Sequence, residues 1–295
     1  MSCKKKIILH FRQSTDAIQL NSVTILTEFN FFNRLQSQLL HHKSKEQSLK
    51  FQSYRYSNQF TFILTPKNIL IIGASSGIGH ALAQKISAQG HQVFTASRRQ
   101  PENLPDAHWF SYDATSPFQL PADFPDTLHG LVYCPGTINL KPISRLTTDD
   151  FKTDFQVNVL GFVEAVQATL RQLKKAGNAS VLAYSTVAVQ TGMGFHASVA
   201  ASKGALEGLA RSLAAELAPS HIRVNVVAPS LTDTPLAAAL LSTPEKLEAS
   251  GKRHPLGRVG TAEDIAAMSA FLLSDESGWI TGQVLHVDGG MGNLK

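Results

Sequence analysis

Apolar and polar positions along most of this chain alternate between two periods. Ile69, Leu70, Ile71 and Ile72 form a continuous aliphatic run, the pattern of a strand covered on both faces. Beyond it Ile78, Ala81, Leu82 and Ile86 recur at helical spacing, predicting a helix over about Gly77–Gln89 that Gly90 stops. The alternation continues with strands at Gln92–Ala96, His108–Tyr112 and Gly130–Cys134, a helix over about Thr148–Leu173, and a strand at Ser180–Tyr184. A long helix from Ala197 to Leu217 follows, closed by Pro219, which cannot continue it. Strands at Ile222–Ala228 and Gln283–Val287 flank a last helix at Ala262–Leu273. Strand and helix in this order predict one doubly wound α/β domain over residues 67–295, a parallel sheet of about seven strands with helices on both faces.

Residues 1–66 do not share this pattern. They are rich in Ser, Gln, Asn, His and Phe, with short apolar clusters and no sustained period. They read as a disordered N-terminal extension, as upstream sequence before a mis-set start, or as an organellar transit peptide, being basic and poor in acids. Charge separates the two parts further. The extension carries nine Lys/Arg against three Asp/Glu, and the remainder 18 against 19, so the net charge of +5 belongs to the extension. Nucleic-acid binding is therefore a poor reading of the basic balance. No apolar run is long enough to span a bilayer, which predicts a soluble protein without a membrane partner. Cys3 and Cys134 lie far apart and suggest no disulfide framework and no metal site, which fits a reducing cytoplasm.

The chemistry starts at the first strand–helix junction, where Gly73, Ala74, Ser75, Ser76, Gly77, Ile78 and Gly79 stand in order. Glycines there let backbone approach a pyrophosphate closely, and the helix N-terminus favours its negative charge. The strand before and the helix after supply the context that a glycine triplet alone lacks.

With this turn go further motifs: Asn158 to Gly161, Tyr184-Ser185-Thr186, Lys203 with Gly204, Ile222 to Pro229 and Ile280 to Gly290. In these residues, their order and their spacing, residues 67–295 resemble the short-chain dehydrogenase/reductases, in the compact single-domain branch that includes β-ketoacyl-carrier-protein reductases. The resemblance implies a Rossmann sheet, a nicotinamide cofactor, a small-molecule substrate and often a homotetramer. It implies that Gly73, Ser75, Ser76, Gly77, Ile78 and Gly79 cradle the pyrophosphate, that Asp113 and Ala114 meet the adenine edge, and that Cys134, Pro135 and Gly136 line the cofactor. It further implies that Pro229, Thr232 and Thr234 close over the nicotinamide end, with Thr234 at its carboxamide. The second strand ends in Ser97, Arg98 and Arg99, where an acid would accept the ribose hydroxyl of NAD. A hydroxyl and guanidinium groups suit a 2′-phosphate instead, which favours NADP over NAD.

In the family, proton transfer accompanies hydride transfer: a tyrosine exchanges the proton, and a lysine four residues later lowers its pKa and binds the nicotinamide ribose. A serine polarises the carbonyl and an asparagine holds a relay water. Lys203 matches the lysine and Asn158 the asparagine, and Thr186, with Ser185 beside it, falls at the serine position. Four residues before Lys203, however, stands Val199, and no tyrosine lies downstream of Tyr184. The family's Asn-Asn-Ala-Gly after the fourth strand is also changed, to Tyr133-Cys134-Pro135-Gly136, losing the asparagine that braces the sheet. Valine donates no proton. His196 one helical turn earlier, Tyr184, or Lys203 itself are the candidate substitutes, each with a structural alternative.

Two readings follow. One is an NADP-dependent oxidoreductase of atypical mechanism that reduces a carbonyl, with a 3-oxoacyl thioester among the candidates, or an activated double bond. The other is a catalytically silent NADP-binding sensor or partner subunit. Residues 231–252, which include Leu231, Leu236, Leu240, Leu241 and Leu247, are expected to form an apolar lid.

Overall fold

A computed structural model describes residues 65–294, so the expectation for the extension falls almost wholly outside the described residues. The aliphatic run becomes β1 (Asn68–Ile72), the centre of a seven-stranded sheet. The other strands are β2 (Gln92–Ser97), β3 (His108–Ser111), β4 (Gly130–Tyr133), β5 (Ala179–Tyr184), β6 (Ile222–Pro229) and β7 (Val284–Val287). Their order across the sheet is β3-β2-β1-β4-β5-β6-β7, and every neighbouring pair is parallel. The chain winds outward from β1 in one direction through β3 and then restarts beside β1 at β4. This reversal places a crevice at the carboxyl ends of β1 and β4, where such sheets bind ligands.

Side-chain alternation along the strands builds two cores. Leu70, Ile72, Leu131 and Val181 face α3 (Gly161–Ala176) and α5 (Ala197–Leu217) through Phe162, Val166, Leu206 and Ala210. Ile69, Ile71, Val132 and Leu182 face α1 (Gly77–Ala88) and α7 (Ala262–Leu273) through Leu82, Ile86, Ile265 and Leu273. With both faces covered the strands need no polar side, which explains their near-continuous apolar sequences.

The structure departs from the expected pattern in three places. The single helix expected from Thr148 is α2 (Thr148–Phe155), a π-helical turn at Gln156–Leu160, and then α3. The π-turn is held from outside the helix, because the Tyr133 hydroxyl donates to the Val157 carbonyl at 2.6 Å. Gly161 makes room, as a Cβ there would run into the Tyr133 hydroxyl. Between β5 and α5 lies a short helix, α4 (Ala188–Thr191), that no periodicity announced. The expected lid is structured, with a 3-10 turn at Pro235–Leu240 and α6 (Pro244–Gly251), whose N-terminal amides Thr243 caps. A two-residue parallel ladder joins Thr232–Asp233 to Gly260–Thr261 and ties this segment to the start of α7.

Candidate active site

The glycine turn is shaped by contacts that allow no side chain. Gly73 has φ +86°, and a Cβ on it would lie 3.2 Å from the Cβ of Cys134 and from Pro135, across the crevice. A Cβ on Gly79 would lie 2.5 Å from the Gly73 carbonyl oxygen, so α1 packs directly against the turn. Gly77, at φ +57°, faces Thr234 at 3.3 Å by the same measure. Ser76 precedes α1 without bonding its free amides, and no acid stands in the first turn. Those N–H groups are left directed at the crevice, where an anion is favoured.

A cavity of about 600 Å³ occupies the crevice and extends along the carboxyl ends of the strands. It brings together residues from widely separated parts of the chain. Gly73, Ser75, Ser76, Gly77, Ile78 and Gly79 form one wall, and Ser97, Arg98, Asp113 and Ala114 the end beyond β2 and β3. Cys134, Pro135 and Gly136 line its middle, and Ser185, Thr186, Lys203, Pro229, Thr232 and Thr234 the far side. Of the residues singled out from sequence, Arg99, Asn158 and the lid's Leu241 and Leu247 are not on the wall. Arg98 is exposed at the rim, whereas Arg99 contributes its carbonyl, which accepts from the Ser97 hydroxyl at 2.7 Å. Asn158 is fully buried behind Gly136, and its amide donates to Ser202 at 2.9 Å and Thr137 at 3.1 Å. Its Oδ1 has no partner among the described residues and lies 3.6 Å from where a Cβ on Gly136 would sit.

Lys203 projects from α5 beneath the same glycine, its Nζ 3.5 Å from that position, and donates to the Tyr184 carbonyl at 2.7 Å. Burial lowers its pKa to about 8, with Cys134 and Asp154 opposing the shift. Burial also pushes the neighbouring Cys134 thiol up to about 12, which fits a small apolar wall residue. One turn before the lysine on α5, Val199 is buried at the cavity wall. The two hydroxyls after β5 diverge. Ser185 is buried and donates to the Glu207 carboxylate at 2.6 Å. Thr186 keeps its oxygen at the cavity, accepting from the Ala188 amide at 3.3 Å as α4 begins.

The proposed substitutes for the tyrosine differ in what they have free. Tyr184 sends its phenol away from Thr186 to Ser269 on α7 at 2.8 Å, and burial holds its pKa well above the ordinary value. It is a core residue. His196 stands at the start of α5 on the cavity wall, with Nδ1 against the Gly194 carbonyl at 2.7 Å.

One pair at this end had no signal in the sequence. Ser230, next after Pro229, lines the cavity with its hydroxyl 2.9 Å from His254 Nε2. His254 is 3% exposed, and its Nδ1 meets the Ser250 carbonyl at 2.8 Å. The two residues are 24 positions apart and belong to no shared periodic pattern. Among the described residues no group of His, Cys, Asp and Glu could hold a metal, and no helix is long and apolar enough to cross a membrane.

A doubly wound parallel sheet with a glycine-floored cavity at its switch point defines a Rossmann-type fold. The chain belongs to the short-chain dehydrogenase/reductase superfamily. The family model described as Enoyl-(Acyl carrier protein) reductase matches residues 73–292. A tropinone reductase homolog of Arabidopsis thaliana is 32% identical over 241 residues, which is 76% of this chain and 92% of that protein. The 3-oxoacyl-[acyl-carrier-protein] reductase MabA of Mycobacterium tuberculosis is 31% identical over 77% of this chain and 93% of its own. Among solved structures, RhlG of Pseudomonas aeruginosa superposes with a TM-score of 0.72 at 28% identity, covering 78% of this chain and 97% of that one. The chain is thus an oxidoreductase-family domain of the dehydrogenase/reductase type.

Proposed function

We propose that this protein is an NADP-dependent oxidoreductase that works without the family's tyrosine and reduces a carbonyl or an activated double bond, a 3-oxoacyl thioester among the candidate substrates. The observation that carries the reading is the single cavity in which the glycine turn, Arg98 and Lys203 meet. The site fits the nucleotide on its own geometry: the turn has no room for a Cβ at Gly73 or Gly79, and the α1 amides beside it are free. In this reading the turn and α1 hold the pyrophosphate, and Asp113 and Ala114 the adenine edge. Ser97, Arg98 and Arg99 form the 2′-phosphate end, with Arg98 at the cavity and Arg99 beside it. Lys203 holds the nicotinamide ribose side, Asn158 stands buried behind it with its Oδ1 open to a relay water, and Thr232 and Thr234 close over the ring with Pro229. NADPH, when bound, supplies the hydride. Thr186 polarises the substrate oxygen, and Ser185 holds α5 to the end of β5 through Glu207.

The support for NADP is the guanidinium at the end of β2 in place of an acid, and the RhlG structure is an NADP active-site complex. Support for the substrate class comes from Ile138, Leu140, Met193, Leu231, Leu236 and Met291, which give the far end of the cavity an apolar lining. MabA, by its name, acts on 3-oxoacyl groups. A cytoplasmic homotetramer belongs to the same reading by family resemblance. Val199 favours the second reading, a silent NADP-binding sensor or partner subunit, because a buried valine at that register has no proton to exchange.

The nucleotide half of the proposal is tested by titrating native protein and Arg98→Glu with NADPH and NADH, following nicotinamide fluorescence. The native protein is expected to prefer NADPH by about 10- to 100-fold, the worth of one or two charge-assisted contacts, and Arg98→Glu to lose that preference. Equal affinity for the two nucleotides in the native protein would contradict it.

A further inference from the structure

We infer that Ser230 and His254 form a proton relay that opens into the cavity and supplies the proton Val199 cannot. The inference rests on the reductase reading and names its acid.

The argument starts from the two partners of the imidazole. A backbone carbonyl only accepts, so the Ser250 oxygen fixes a proton on Nδ1. A hydroxyl both accepts and donates, so Ser230 satisfies Nε2 whether or not that nitrogen is protonated. The ring therefore gains or loses its second proton with no hydrogen bond broken, and the Ser230 hydroxyl simply reverses. A buried histidine kept only for packing needs no partner of this kind, and here that partner lines the cavity shared with Lys203 and Thr186.

The surroundings fix the ring in place. The His254 amide donates to the Gly251 carbonyl at 2.9 Å, and its carbonyl accepts from Gly257 at 2.8 Å. Gly289 packs on the ring, since a Cβ there would lie 3.6 Å from its Cδ2. Of the alternatives, the Tyr184 phenol is engaged with Ser269 and Lys203 with the Tyr184 carbonyl, while His196 meets the Gly194 carbonyl through Nδ1 and, among the described residues, has no hydroxyl at Nε2 to complete a relay.

In the reductive direction the carbonyl carbon accepts hydride and is reduced while the nicotinamide is oxidised. The carbonyl oxygen takes the Ser230 hydroxyl proton, and Ser230 takes the Nε2 proton of the His254 imidazolium. His254 is left neutral with Nδ1–H on Ser250, and it regains its proton from cavity water through Ser230 after product leaves. The product is an alcohol, and no other oxidant, reductant or metal is needed.

The test compares native protein with Ser230→Ala, Ser230→Thr and His254→Gln. The probe is NADPH with the acetoacetyl thioester of N-acetylcysteamine. Ser230→Ala and His254→Gln are expected to lower kcat by about 10²–10⁴-fold, the usual worth of a general acid. KM and NADPH affinity should stay within about twofold, and Ser230→Thr, which keeps the hydroxyl, should recover most of the rate. A second readout needs no turnover. In ¹⁵N-labelled protein without ligand, the neutral His254 ring is expected as the Nδ1–H tautomer, with an Nε2 signal that shifts in Ser230→Ala. An Nε2–H tautomer overturns the relay. Native turnover that survives Ser230→Ala overturns it too and leaves the reductase reading standing. Native protein that binds NADPH but reduces nothing, while Val199→Tyr does, removes the reductase reading and the relay with it. Should His254→Gln not fold, the smaller Ser230→Ala change decides.

Discussion

Lys203 shows how burial sets a residue's chemistry in this site. The residue is 7% exposed, its ammonium has the Tyr184 carbonyl as partner, and burial lowers its pKa to about 8 from the ordinary 10.5. The folded state thus binds this proton less tightly than the unfolded chain. Below pH 8 both states are protonated and the cost of burying the charge is fully felt. As pH rises from about 8 toward 10.5 the folded protein sheds the proton first, so stability increases. Tyr133 and Tyr184, whose pKa values burial raises, ionise above this window. Between pH 8 and 9.5 the native protein should gain about 2 kcal/mol in urea unfolding relative to Lys203→Met. Parallel pH profiles for the two proteins would mean the ammonium is not penalised. A lysine near neutral pKa at the cavity also suits a site that handles a proton and an anionic cofactor together.

At the scale of elements, the π-turn between α2 and α3 links the sheet to the site. An inserted residue in a helix frees a carbonyl and swings the following side chains, and such turns gather at functional positions. Here the Val157 carbonyl accepts from Tyr133 at the end of β4, and the next residue is Asn158. Where the family pattern has asparagines after the fourth strand, this chain has Tyr133 and Cys134, and Tyr133 ties the end of β4 to the π-turn. Sequence periodicity did not show this, because the bond that holds the turn comes from a side chain 24 residues away. Tyr133→Phe should cost about 0.5–1.5 kcal/mol by removing this buried bond. Gly161→Ala should also destabilise, since its methyl meets the Tyr133 hydroxyl. The double variant should be more stable than the sum of the two losses by about 1 kcal/mol or more, as read by thermal or urea unfolding. Strict additivity would show that the two residues do not share the contact.

Over the whole molecule, the sheet, its parallel order and the glycine turn were legible because strands covered on both faces write themselves as unbroken apolar runs. The cavity wall at the glycine turn was legible for the same kind of reason: its residues follow the strand ends in order, at Gly73, Ser97, Asp113 and Cys134. The proton-handling end was not. Ser230 and His254 meet only because the segment from Leu231 to Lys252 folds back through the ladder at Thr232 and Gly260, and loop geometry of that kind leaves no period. Ser185 and Thr186, adjacent in sequence, part company because one bonds α5 and the other opens to the cavity. In the proposed reading, then, the fold brings together a cofactor end that matches the family pattern and a proton-transfer end built from different residues.

The most direct measurement of that account is NADPH consumption by native protein and Val199→Tyr, side by side, with 3-oxoacyl thioesters and simple ketones. The account predicts turnover by the native protein, lost in Ser230→Ala, and no requirement for tyrosine at position 199. Silence from the native protein with activity in Val199→Tyr would contradict it, and would mean that the cavity is intact but chemically idle.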